Sequence, residues 1–552
     1  VDVDIKEGSR RYFIVDKDAQ TAKYVGSFAR QSAAKGAEPA YEPELDTNCA
    51  RVVSIAPPNG AKEVEPIEDL RIVFDRPMNP YCVKLEWLKG GFQLNGSIQV
   101  GADHKEFIIP VQMAPGQEQK LVVNHDYDRE MWVATGSRPE MRASFTSRPR
   151  EGFLDADAVA ANEFRWSFST KAVTEKKGSP KPRVANVTPV SGATTPVLTF
   201  VEVTFDQPMQ SADTQFPYLQ KRAFAFREGP NLIPSFDYDA AAHRFTFPVL
   251  LPPENDARLT LRGFCSADGA AADPVVLHYQ TGPDSLDAKY VEKAKSAAKD
   301  VRLAKLLTSM KEARARLNSG IVTVQTTDLS MSESSFNSIE SKTATFKWQG
   351  ADQVYADISG PMGMTRAFIL GNDGRNCWLY SESGKGEKRL EQTPTAKIEK
   401  EITLVDPFEL AKRSVTEVLA ERGYVLEANA KLEGRGSYRV ETWFVSQENM
   451  AYATKTEWWI DEETFLPTQI VQHHPGGCRI VHFDYKDLNQ RLPDSAFQPP
   501  VGPGGDAKPL FFEKEPGPDE QRFLLISDGS NGRISGRIGW KGPNGATSSG
   551  LN

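Results

Sequence analysis

The residues best suited to metal or nucleophilic chemistry in this chain are seven histidines and five cysteines. Their spacing offers one cluster. In "QHHPGGCRIVH", His474, Cys478 and His482 recur at four-residue intervals. If "PGG" closes a three-residue hairpin, His474 lies opposite Cys478. His482 then sits further along the same face, about 13 Å from Cys478 at the rise of a strand. Zinc takes three or four converging ligands, so this stretch reads as a strand end and no metal is expected. The cysteines form no Cys-x-x-Cys, and their scatter allows only single pairs, Cys49 with Cys82 or Cys377 with Cys478. No Gly-x-Ser-x-Gly and no Cys with a His/Asn partnership appears. The adjacent carboxylates Glu462 and Glu463 fall in a turn, where solvated acids belong, and not in a cleft that a glycosidase pair would need. The glycine-rich end lacks the Gly-Lys-Ser/Thr of a phosphate loop. The residues therefore carry no catalytic motif. The expectation is a protein that is not an enzyme and needs no cofactor.

The elements that would hold any site belong to a long, soluble-looking chain. Its 552 residues, 39% hydrophobic and 25% charged, are too many for one core and imply three or four domains. A net charge of −8 argues against nucleic acid as a partner. No apolar run is long enough to span a membrane. The chain begins at Val1 without an apolar signal core. The pattern "RRYFIV…TAKYVGSF" reads as a hairpin, the end of a domain that starts upstream, and sets off an N-terminal segment, 1–48.

A duplication follows. "RVVSIAPPNGAKEVEPIEDLRIVFDRPMN" at Arg51 returns as "RVANVTPVSGATTPVLTFVEVTFDQPMQ" at Arg183. "FIIPVQMAP" from Phe107 echoes "FTFPVLLPP" from Phe245, and "EGFLDADA" from Glu151 echoes "RGFCSADG" from Arg262. Short β-branched runs separated by turn residues, with no helical stretch between, predict a β-sandwich in each copy. The copies span 49–172 and 183–283, joined by a charged linker at 173–182. The first copy carries an insertion, "ATGSRPEMRASFTSRPR". Pro57 to Ala61 with Phe74 to Met78, and Pro189 to Ala193 with Phe205 to Met209, resemble the bacterial Ig-like domain of surface-layer and other extracytoplasmic proteins. That resemblance implies a spacer, adhesive or scaffolding module. Asp75 and Asp206 fall short of the six to eight oxygens calcium takes, so each is read as organising its turn.

At residue 284 the period changes. Leu303, Leu306, Leu307, Met310 and Leu317 share one helical face, with Lys, Arg and Glu on the other. Asp284 or Ser285 is the expected cap, and Gly320 the stop. Strand alternation then runs to Phe497, interrupted by a helix at "DPFELAKRSVTEVLAERGY" with Asp406 as its N-cap and Gly423 at its end. The expected fold is mainly β: two Ig-like β-sandwiches, then a half-open antiparallel β-barrel with covering helices at 284–500, and a Gly/Pro-rich tail at 501–552.

The stretch "EWWIDEETFLPTQIVQHH" belongs to that barrel. Asp461 and Thr464 read as organising a hairpin turn, with Pro467 starting the return strand. Trp458 and Trp459, adjacent on a strand, must face opposite sides of the sheet. Trp459-Ile460-Asp461 with Leu466-Pro467, and Phe483 to Phe497, resemble the LolA/LolB-like family of periplasmic lipoprotein carriers. The resemblance implies a lipid or lipoprotein acyl chain, or another apolar ligand, inside the half-closed barrel. Alternation supplies the wall candidates Phe346, Trp348, Val354, Ile358, Phe368, Trp458 and Ile470, all of which packed core would equally explain. The expected protein is a binding protein of the periplasm or cell envelope, held there on one reading by a segment before Val1, with the sandwiches as a stalk. The alternatives are a structural or signalling ectodomain that docks an envelope protein, and accessory domains of a hydrolase whose catalytic part precedes Val1.

Overall fold

The computed structural model describes residues 47–125, 152–210, 231–330, 337–394 and 423–500, apart from short internal stretches, with the backbones of strands at 9–16, 21–29, 508–509, 524–526 and 537–539. Two expected features lie outside the described residues: the insertion at 134–150 and the helix from Asp406. The N-terminal strands Ser9–Asp16 and Thr21–Ala29 pair antiparallel, as the hairpin pattern requires.

The fold is mainly β, built from antiparallel sheets, none of them closed. In the first sandwich one sheet pairs β1 (Val52–Ala56), β2 (Ile67–Phe74) and β4 (Glu106–Met113). The facing sheet pairs β3 (Cys82–Lys89), β5 (Glu118–Val123) and β6 (Phe164–Ser169). The second sandwich repeats the plan with β7 (Val184–Thr188), β8 (Leu198–Phe205), β9 (Arg244–Leu250), β10 (Asp256–Leu261) and β11 (Val275–Thr281).

The two cores share an aromatic trio at matching positions. Phe74, Phe107 and Phe153 pack with ring centroids 5.1 to 5.9 Å apart. Their counterparts Phe205, Phe245 and Phe264 pack at 5.0 to 6.1 Å. Such aromatic trios contribute beyond their buried area because edge-to-face rings satisfy each other's quadrupoles. Asp75 Oδ1 accepts the backbone N–H of Arg51 at 3.0 Å, and Asp206 Oδ1 that of Arg183 at 2.9 Å. Each aspartate thus ties the end of the Phe-Asp strand to the strand that opens its copy, an organising role in both.

Two helices follow, α1 (Ala288–Ala298) and α2 (Val301–Ala315). Asp287, not Asp284 or Ser285, caps α1 by accepting the Lys289 N–H at 2.8 Å. Gly320 does not end a helix. It lies in β12 (Ser319–Ser330), and the helical pattern stops at Ala315. Then come β13 (Asn337–Gln349), β14 (Gln353–Asp357), β15 (Thr365–Asp373), β16 (Asn376–Ser383), β17 (Lys388–Pro394), β18 (Gly423–Lys431), β19 (Ser437–Ser446), β20 (Tyr452–Asp461), β21 (Pro467–His474) and β22 (Gly477–Lys486). They form one antiparallel sheet in the order β18-β19-β20-β21-β22-β12-β13-β14-β15-β16-β17. Gly423 begins β18.

The sandwiches do not stand off from this sheet as a stalk would. β3 hydrogen-bonds to β13 from Asn337↔Trp87 to Lys342↔Cys82, so a sheet of the first sandwich runs into the barrel sheet. Leu329, Ile339, Val471 and Cys478 join the first sandwich's core. Trp443, Val445 and Ala453 pack with Val197, Leu198, Ile233 and Leu250 of the second. Apolar side chains at each junction help explain why the sandwiches settle there: exposed, the larger of them would each forgo roughly 1.5–3 kcal/mol of burial.

Candidate apolar binding face

On β20, alternate side chains part to the two faces of the sheet. Trp458 and Ile460 face α2. So do their cross-strand partners, Val440 on β19 and Ile470 on β21. Further across, Val481 and Phe483 of β22 and Val322 and Val324 of β12 continue the layer. Leu303, Leu306, Leu307, Met310 and Ala313 line one side of α2, because steps of three and four residues keep a stripe on one face of a helix. That stripe packs onto the layer as a single apolar cluster.

The cluster has a half-buried aromatic border: Phe346, Trp348, Tyr438, Phe465 and Tyr485. Tyr438 and Phe465 stack with centroids 6.2 Å apart. Trp348 lies in register opposite Gly320, and a Cβ there would stand 2.8 Å from the indole. The glycine is what lets this ring lie flat across its neighbour strand. At the centre, Trp458 is 8% exposed, and its indole N–H has no hydrogen-bond partner among the described residues. An unmet buried donor costs about 1–3 kcal/mol; the Trp87 and Trp166 indoles in the first sandwich's core share this state.

Of the seven wall candidates, four meet in this cluster: Phe346, Trp348, Trp458 and Ile470. Ile358 belongs to a smaller neighbouring cluster with Ala344, Ala356 and Leu370, which Phe346 bridges to the first. Val354 is half-buried opposite Trp348 in register and belongs to neither. The side chain of Phe368 lies outside the described residues.

The expected His–Cys cluster is differently arranged. His474 pairs with Gly477, so His473, not His474, faces Cys478. Only Pro475 and Gly476 separate the paired ends, a loop one residue shorter than the spacing argument assumed. Among the described residues no group of three or more His, Cys, Asp or Glu could hold a metal ion. Cys49, Cys82 and Cys478 form no disulfide, so neither expected pairing is present. The acidic turn is as read: Asp461 Oδ1 accepts the N–H groups of Glu463 and Thr464 at 3.1 and 2.7 Å, and Thr464 Oγ1 at 2.8 Å.

The other face of β19–β21 holds what the spacing of His and Cys did not reveal, a buried ionic cluster. Lys455 Nζ, its side chain 4% exposed, lies 2.8 Å from Glu457 Oε1 and 3.2 Å from Glu441 Oε2. It also donates to Ser235 Oγ of the second sandwich at 2.7 Å. Arg439 bridges the same two carboxylates, at 3.1 Å to Glu457 and 3.2 Å to Glu441. His473 Nε2 stands 3.5 Å from Glu457 Oε1. Trp443 donates its indole N–H to Glu441 at 2.7 Å. Burial alone would raise the Glu457 pKa, but the His473 hydrogen bond and the charges of Lys455, His473 and Arg439 outweigh it and hold the carboxyl far below its usual range. Burial would likewise lower His473, yet Cys478 and Glu457 beside it push the imidazole up to about 9. Lys455 is raised as well, its burial overcome by Glu441 and Glu457. The signal was present in the sequence as period-two charge: Arg439 and Glu441 on one strand, Lys455 and Glu457 on the next. Only the register shows that they meet.

No family model matches this sequence, and no curated protein matches it. Among solved structures, a domain assigned to outer membrane lipoprotein sorting from Vibrio parahaemolyticus is similar at 13% identity, covering 35% of this chain and 97% of that one, with a TM-score of 0.19. A DUF1329 family protein from Desulfovibrio piger overlaps at 9% identity, 36% of this chain and 96% of that one, with a TM-score of 0.15. The N-terminal part of the bacterial S-layer protein SbsC overlaps at 7% identity, with 42% and 44% covered and a TM-score of 0.12. TM-scores this low carry no functional argument. No helix among the described residues is long and apolar enough to cross a membrane.

Proposed function

We propose that this chain is a non-enzymatic extracytoplasmic binding protein that takes a lipid, an acyl chain or another apolar ligand between α2 and the facing side of the barrel sheet. The observation that carries the proposal is the α2 layer itself: an apolar face with a half-buried aromatic border, which includes, among the described residues, the unpartnered indole N–H of Trp458. An acyl chain entering there replaces helix side chains on the sheet, and each CH2 it buries contributes about 0.8 kcal/mol. The Trp458 N–H then meets an ester or amide carbonyl. The sandwiches hold the sheet from its other side, so α2 is the element free to yield while the wall keeps its shape. The extracytoplasmic location rests on the paired Ig-like sandwiches.

Native mass spectrometry of gently purified protein, with lipid extraction in parallel, tests this reading. A bound lipid, displaced by substitution of Trp458 and Ile470, supports it. Protein that carries nothing and takes up no lipid from micelles rejects it. That second result would favour a structural ectodomain that docks an envelope protein. The same packing gives this alternative its footing, because α2 already completes the apolar face without any ligand.

A further inference from the structure

The outward side of the two helices is used by nothing described above. Between Ala288 and Leu317 the chain has nine basic and three acidic residues, a local excess of six positive charges in a protein of net charge −8. All nine basic side chains are exposed. The acidic side is weak: Glu292 is taken up by Lys295 at 2.7 Å. The balance of the chain is correspondingly acidic, so the whole-protein charge conceals this face. At the start of α2, between the two helices, Val301 is 80% exposed, more than any other large hydrophobic residue among those described.

From this pattern we infer that the α1–α2 outer face docks on an anionic lipid surface. Clustered Lys and Arg gain from the negative potential of a charged leaflet, and long basic side chains let a helix lie flat while their stems sink toward the interface. An apolar residue standing out among them has no use on a phosphate backbone or an acidic peptide in water, but it adds favourably on entering the headgroup region. Charge complementarity and Val301 thus select a membrane among anionic partners. Docking would also bring the α2 edge of the apolar layer to the surface where apolar ligands reside, although the inference stands without a ligand in that layer.

The test is flotation of the full chain with vesicles of phosphatidylcholine alone or with about a third phosphatidylglycerol, at low and high salt. The variant is Lys293→Gln, Lys299→Gln, Lys305→Gln and Lys311→Gln together, four exposed positions whose replacement leaves helix propensity nearly unchanged. Wild type should bind the anionic vesicles at low salt and ignore neutral ones, and high salt should release it. At about five-fold per basic residue, the variant should lose binding by several hundred-fold. Val301→Ser should cost only about a few-fold more. Wild type that ignores anionic vesicles overturns the inference, as does vesicle binding that the four substitutions leave intact. Binding to poly-glutamate with vesicles ignored also overturns it and assigns the face to an acidic protein. Circular dichroism of the variant confirms that lost binding is not lost fold. Because vesicles report on the outer face, failure here leaves the apolar layer behind it as a separate question.

Discussion

Trp458 and Trp459 are neighbours in the chain and belong to different surfaces. Trp458 faces α2 within an apolar cluster. Trp459 faces the sandwiches, packed at the edge of the first one's core with the Arg439 guanidinium 5.5 Å from its ring. One strand therefore serves two kinds of attachment. Among the described residues the helix side is held chiefly by apolar burial, which is non-directional and tolerates exchange of one apolar occupant for another. The sandwich side is held by strand pairing, apolar packing and a buried ionic cluster, which are directional and tolerate none. Under the proposed ligand-binding function, this difference marks which side of the sheet is scaffold and which opens.

The largest expected effect breaks the sandwich side. Lys455→Met leaves Glu441 and Glu457 buried with one cation fewer, and should cost about 3–5 kcal/mol in chemical denaturation. Replacing Arg439, Glu441, Lys455 and Glu457 together with apolar residues should cost far less, since desolvation of the charges is relieved at the same time. On the helix side, Met310→Ala should cost about 2–5 kcal/mol. Added apolar ligand should recover part of that loss if it fills the layer, and none if the layer is only core.

Titration separates the faces next. His473 has a folded pKa of about 9 against an ordinary 6.5, so its contribution is fully present below 6.5 and is lost as pH rises through 9. On the order of 3 kcal/mol is involved. Glu457, depressed, contributes above its ordinary value of 4.5 and is lost only as the pH falls well below it. Melting temperature should therefore be highest between these limits and decline on the alkaline side. His473→Gln should abolish the alkaline decline, which a pH series of thermal melts will show. The smallest effect sharpens the other face. Trp458→Phe removes the unmet N–H together with part of the ring, two opposing terms, and should change stability by less than about 1.5 kcal/mol. It should still weaken binding of an ester-bearing ligand relative to an alkane, as calorimetry can measure.

Much of this architecture was legible in the chain. The duplication was readable to the level of single rings, because Phe74, Phe107 and Phe153 and their counterparts stand in runs that repeat nearly intact. The α2 stripe was readable because a period of three and four needs no partner to be recognised. The opposite facing of Trp458 and Trp459 followed from strand geometry alone. What could not be read depends on register between distant segments. Ser235 and Lys455 are 220 positions apart. The pairing of β3 with β13 joins two segments that each look complete in isolation. The hairpin at His473 and Cys478 turned on one residue of loop length, and in a sheet one residue reverses every facing.

The proposed opening of the helix side is most directly tested with a fatty acid brominated along its chain, titrated into wild type and Trp458→Phe while tryptophan emission is followed. Bromine quenches only an indole that it touches. An acyl chain between α2 and the sheet predicts saturable quenching in wild type that is reduced when Trp458 is absent. Emission that the brominated chain leaves unchanged, or equal quenching in the two proteins, would contradict it.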